Sequence, residues 1–238
     1  MKEVLAFIEQ KKQEFAELPL FKFLQDKSID PKQRLAFAPC ITPFVMNIWE
    51  VNKYFFREEP TNDPIQALIN VHSYEDDHHF LWYYEDMEKL GLNKSTTYLD
   101  SLKFIWGKEN EKARQVCYKL AAYAYKADPI LKLAVIEANE ATGNVFLSRT
   151  TEVARELQQI TGEDYRYFGH YHLAVETGHA MGTPDVESLI ENIEISAEMR
   201  EQACQLVEQV FAAFTEVVNE WMAYIQLHKL DQANIMSA

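Results

Sequence analysis

The sequence predicts an all-α fold, on three observations. Apolar residues recur at steps of three and four almost throughout, which is the period of one helix face. Only 7 Gly and 8 Pro serve 238 residues, too few for the many tight turns of a sandwich or barrel. The dipeptides Asp30-Pro31, Asp63-Pro64, Asp128-Pro129 and Thr183-Pro184 each place a capping oxygen before a proline. A proline at the first helical position gives up an N–H that has no partner there anyway. We expect one domain of about seven or eight helices, several crossing its whole width. No 20–50-residue repeat and no Gly/Ser linker divides it.

In chain order, residues 2–17 form an amphipathic helix that Pro19 ends. Asp30-Pro31 opens a long apolar helix to about Arg57, bent near Pro39 and Pro43, where backbone donors are missing. Asp63-Pro64 opens the next, to Leu90, and Gly91 stops it. Residues 92–98, LNKSTTY, read as a loop, followed by shorter helices near 99–107 and 109–126. Asp128-Pro129 starts a long helix to Ile160 that Thr161-Gly162 closes. Residues 164–180 form a helix ending near Gly182. Residues 184–228 complete the fold as helix, broken near Ile195–Ser196.

Charge and composition exclude several functions. The chain carries 23 Lys+Arg against 37 Asp+Glu, a net charge of -14, which repels nucleic acid and anionic membrane surfaces. No apolar run is long enough to span a bilayer, and MKEVLAFIEQKKQEF lacks the pattern of a signal peptide. Cys40, Cys117 and Cys204 lie far apart without a CxxC, as free thiols do in a reducing cytoplasm. No GxGxxG, GxxxxGK[ST] or G-x-S-x-G occurs. Cys117 reads as an inert buried thiol. The last helix, LVEQVFAAFTEVVNEWMAYI, has an apolar face for core packing or for a homodimer.

The histidines are clustered. Six of the 7 fall in two windows, HSYEDDHHF (72–80) and HYHLAVETGH (170–179), each with acids. At about 100° per residue, His172, Glu176 and His179 share one helical stripe, spaced H-x3-E-x2-H. His72, Asp76 and His79 share another, with Glu75 at its edge; Glu75-x-x-His78, Asp76-x-x-His79 and Glu176-x-x-His179 are i,i+3 pairs. Two Glu-x-x-His helices, with one Glu from each of two more, are how a bundle holds two metal ions. Imidazole with carboxylate suits Fe(II) or Mn(II) and leaves positions open for O2. Glu50 is the only acid between Asp30 and Glu58, in an apolar segment, and an acid buried there needs a compensating charge. Glu137 and Glu140 sit amid Leu, Val, Ile and Phe in the same way, and Gly143 leaves room for a close approach. Trp49, Tyr74, Trp82 and Tyr171 are neighbours in sequence, placed to shield an oxidising site or pass electrons. The competing readings are a ferritin-like iron-handling bundle, a metal-free hydrolase or small-molecule binder, and a non-catalytic interaction protein.

These motifs resemble the haem-oxygenase-like dimetal oxidases, and among them the CADD-like branch. Their superfamily also holds the thiaminase-II-like (TenA) and pyrroloquinoline-quinone synthase (PqqC) proteins. The resemblance covers roughly residues 30–225 and is sharpest at 172–179. EDDHHFLWYYEDMEKLG (75–91) is similar to iron-containing redox members of the group. The resemblance implies a haem-oxygenase-like bundle with two Fe ions, or Fe and Mn. Its ligands would be Glu50, Glu75 with His79 or His78, Glu140 or Glu137, and His172, Glu176 and His179. It implies an O2-dependent oxidoreductase acting on a small organic molecule, with a tyrosine consumed in the CADD-like manner. Haem is not expected, because haem oxygenases carry a proximal His in their first helix and no His precedes position 72. Thiaminase-like members use a catalytic Cys without metal, and the cofactorless quinone synthase lacks this ligand set.

Overall fold

The computed structural model describes residues 1–75, 78–93, 95–178 and 184–228, and among these every regular element is helical. Helix α1 (Lys2–Ala16) buries Val4, Ile8 and Phe15 along one stripe. Pro19 does not only end it; it opens a short second helix, α2 (Pro19–Gln25), which buries Leu20, Phe21, Phe23 and Leu24. Asp30 caps α3 (Pro31–Arg34), its carboxylate accepting from the N–H groups of Lys32 and Gln33 at 2.9 and 3.3 Å.

The helix expected over 31–57 is not continuous. After α3 come a 3₁₀ turn (Ala38–Ile41), α4 (Thr42–Val51) and a π-helical turn (Asn52–Phe56). Pro39 and Pro43 lie in the first turns of the 3₁₀ segment and of α4, so each proline begins a segment rather than bending one. The helix expected over 64–90 is likewise two: α5 (Pro64–Glu75), capped by Asp63, and α6 (His79–Lys89), which closes at Gly91 with φ +72°.

Next come α7 (Tyr98–Trp106), capped by Thr97, and α8 (Glu111–Ala124). Helix α9 (Pro129–Thr161) runs from the Asp128 cap to Gly162 at φ +76°, and its 33 residues span about 50 Å. Helix α10 is His170–Gly178, so residues 165–169 form a turn where helix was expected. Helices α11 (Pro184–Glu191) and α12 (Ala197–His228) follow, separated near the expected break.

Helices α9 and α12 form the centre. α12 lies against α9, α8 and α1, and α9 also carries α10, α2, α3 and α5. The apolar face of α12, including Val207, Phe211, Phe214, Val218 and Trp221, is buried in this core. It is therefore packing surface and not a dimer face. Arg34 ties α3 to the centre: buried, it donates to the carbonyls of Leu24 and Ile29 and pairs with Glu156 of α9. Among the described residues no helix is long and apolar enough to cross a membrane.

Candidate metal centre

Three side chains from two helices converge at one point. His79 is the first residue of α6, and His172 and Glu176 stand one turn apart on α10. His172 Nε2 lies 2.9 Å from Glu176 Oε1 and 3.2 Å from His79 Nδ1; His79 Nδ1 lies 3.2 Å from Glu176 Oε1. His172 is buried, and the other two are mostly so.

The backbone dictates how these atoms present themselves. Asp86, fully buried on the inner stripe of α6, accepts the N–H groups of Arg166, Tyr167 and Phe168 at 2.9, 2.9 and 3.0 Å. Burial pushes its carboxyl up to about 6, against the pull of those donors. The turn so fixed aims the Tyr167 carbonyl at His172 Nδ1, 2.9 Å away. A carbonyl only accepts, so Nδ1 carries the hydrogen and the Nε2 lone pair faces the cluster. A ligand histidine that gives its other N–H to a backbone carbonyl is the usual supporting arrangement of metal sites.

Two ligand bonds of about 2.1 Å at a right angle leave their donor atoms about 3.0 Å apart. The three observed separations match that value. Two imidazoles and one carboxylate on one face are the donor set of non-haem ferrous sites with open positions. Donor atoms this close need either a hydrogen on His79 Nδ1 or a metal ion among them.

A second set adjoins the first. His72 of α5 is buried, and its Nε2 lies 3.5 Å from Glu140 Oε1 on α9. Glu137 stands one turn before Glu140. His72, Glu137, Glu140 and Glu176 line a polar cavity of about 490 Å³. Glu140 and Glu176 also line a smaller cavity of about 100 Å³, together with His79 and His172. That second cavity is walled by Phe44, Ile48, Trp49, Phe80, Phe146 and other apolar side chains, and among the described residues of its lining there is no Lys or Arg.

The expected ligands therefore divide. His79, His172 and Glu176 meet, with Glu140 adjacent, and His78 is exposed. Glu50 does not join them. Helix α4 turns Phe44, Val45 and Ile48 toward the cavity, and Glu50 falls on the outer, exposed side. Glu75 is exposed, and His78 stands outside helical geometry at φ -129°, so the expected spacing to His79 is not that of one continuous helix. His179, Asp76 and Asp77 lie outside the described residues. His72, named on the stripe of His79 but left out of the expected ligands, and Asp86, not singled out in the sequence, also belong to the surroundings of the site. Asp86 stands seven residues after His79, on the same face of α6. Of the other histidines, His170 is exposed and His228 stacks on Tyr224. Burial raises the Cys117 thiol far above its ordinary range, as suits an inert side chain.

The chain matches no protein-family model and no curated protein.

Proposed function

We propose that the protein is a non-haem iron oxidase or oxygenase that activates O2 at a two-ion centre and oxidises a small, largely apolar organic molecule. The observation that carries this is the triangle of His79, His172 and Glu176 opening into an apolar cavity. These three residues would hold one ion. A second ion would lie toward His72 and Glu140, which stand 3.5 Å apart beside the polar cavity. Iron, or iron with manganese, supplies electrons to O2 and open coordination positions.

The chain's own residues do the rest. Asp86 and the Tyr167 carbonyl hold His172 in the tautomer that presents Nε2. The aromatic wall excludes water and selects an apolar substrate body. The polar cavity on the other side of Glu140 and Glu176 offers protons and water a separate approach. The excess of acids over cations in that cavity, whose lining also has Glu9 and Glu191 against Lys12, favours a ferritin-like iron-handling role as the second reading. The apolar cavity, which iron storage does not require, places it second. The three free thiols agree with a cytoplasmic protein. A homodimer would use α7, whose Tyr98, Leu99, Leu102 and Trp106 are exposed on one side.

Anaerobic loading with Fe(II), elemental analysis and exposure to O2 under a visible spectrometer test the proposal. The expected result is about two irons per chain and a transient absorbance band. His172→Ala and Glu176→Ala lose iron, whereas Glu50→Gln and Glu75→Gln keep it. Full iron in the first two variants, or none in the parent protein, refutes the centre.

A further inference from the structure

The two imidazoles of the triangle share an aromatic neighbour. The Trp82 indole stacks on His79, with ring centroids 4.4 Å apart and planes at 23°, and meets His172 edge-on at 5.4 Å. On its other side it meets Tyr171 at 5.0 Å and 89°. Tyr171 is 43% exposed, and the Arg166 guanidinium lies 4.8 Å over its ring. A continuous line of ring contacts thus joins the candidate centre to solvent through a single intervening residue.

We propose that Trp82 and Tyr171 form a one-electron path between the metal centre and the surface. The proposal rests on the metal-centre reading and adds a role which that reading does not require. When O2 reacts and no substrate fills the apolar cavity, an oxidising equivalent remains beside His79 and His172. Trp82 gives one electron across its contacts with the two imidazoles and becomes an indole radical cation. Tyr171 then returns one electron to Trp82 and releases its phenolic proton to water. The surface tyrosyl radical takes one hydrogen atom from an external one-electron reductant of the thiol or ascorbate class. In sum, the reductant supplies one electron to the centre and one proton to solvent, and both side chains are restored.

A second line of rings exists but ends differently. Tyr167 lies 4.9 Å from His172 and 5.3 Å from Tyr83, which is 6.5 Å from the exposed Tyr84. Tyr167 and Tyr83 are both buried, and the Tyr83 hydroxyl faces only the Ala38 carbonyl and the Thr42 hydroxyl. Neither is a base strong enough to take the proton that a phenol must shed when it loses an electron. Tyr171 has water beside it. Tyr83 therefore closes the second line, and the exit runs through Trp82 and Tyr171.

The test uses the full chain loaded with Fe(II) and exposed to O2 without substrate. It reads iron content, the radical seen by freeze-quench electron paramagnetic resonance, and the oxidised residues in peptides by mass spectrometry. In the parent protein the radical is tyrosyl and Tyr171 is the principal modified residue. In Tyr171→Phe the radical becomes indole-like and oxidation moves to Trp82. In Trp82→Phe, iron content is unchanged, Tyr171 modification falls several-fold, and His79 and His172 become oxidised instead. Should Trp82→Phe fail to fold, the half-exposed Tyr171→Phe decides the matter alone. Iron uptake with Tyr171 unmodified, or a modification pattern that neither variant changes, overturns the path and leaves the metal centre standing. No iron uptake overturns the centre and the path together.

Discussion

The turn at residues 165–169 sets His172, and Gly169 is where it can be broken most cleanly. A Cβ added there would lie 2.0 Å from the Tyr165 carbonyl oxygen, whereas real Cβ contacts stay beyond 3.0 Å. Something must therefore move by about 1 Å, and the obstacle is backbone, which cannot rotate away. Tyr165 is followed directly by the three residues whose N–H groups Asp86 holds, and Gly169 and Arg166 accept from the N–H groups of Leu173 and His172. The displacement passes into the first turn of α10. Metal sites tolerate errors of about 0.5 Å, and loss of a supporting contact costs about 10–100-fold in affinity. Gly169→Ala should weaken Fe(II) binding by about that factor, with a folding cost of about 1–3 kcal/mol from overpacking. Anaerobic titration against a chelating dye gives the affinity, and calorimetry gives the Tm. Gly143→Ala is the matched control: its Cβ would meet nothing within 4 Å, so the helix gains about 1 kcal/mol and iron binding stays intact. A Gly169→Ala protein with parental affinity and Tm would refute the claim that this turn positions the ligand.

Three further outcomes follow from the same geometry. Because burial raises Asp86 from 3.8 to about 6 in the folded protein, its contribution to stability is full below the lower value and lost as pH rises through the upper one. Asn does not titrate, so the advantage of the parent over Asp86→Asn should shrink by up to about 3 kcal/mol as pH rises from about 4 to 7, measured by urea unfolding; a constant difference contradicts this. His72→Ala should lower iron from about two per chain to about one, since the triangle survives; losing both ions, or neither, contradicts the division into two sets. Gly143→Leu should fill the apolar cavity, abolishing xenon uptake seen by NMR while iron loading persists; retained xenon binding would mean that Gly143 does not front the cavity.

What the sequence reveals and what it hides follow the range of the interactions involved. Both ends of α9 were legible because their causes are local: the Asp128 oxygen before Pro129, and Gly162 in the left-handed region. The stripe of His172 and Glu176 was legible because it lies within one continuous helix. Glu50 misled because α4 is apolar around most of its circumference, so the segment alone does not say which side meets a partner. The start of α10 was hidden because the turn before it is held by Asp86, which lies 80 residues away for Arg166 and 82 for Phe168. No local pattern encodes that contact.

The same limit accounts for Glu75 and His72. An acid–x–x–x–His spacing places two side chains together only if one helix runs through both. His78 stands in a turn ahead of α6 and interrupts the helix between Glu75 and His79, so the spacing loses its meaning there. The turn before the break keeps its inward face, and that face carries His72 onto Glu140. An imidazole thus stands where an acid was expected, and the acids at the apolar cavity, Glu140 and Glu176, come from α9 and α10. Donors drawn from α5, α6, α9 and α10 depend on how four helices pack: Asp86 locks α6 to the turn before α10, and the buried Lys132 of α9 reaches Gln66 of α5 at 3.2 Å. Three donor atoms 2.9–3.2 Å from one another need a hydrogen or a metal ion among them, and iron titration of His172→Ala and Glu176→Ala decides which of the two this packing serves.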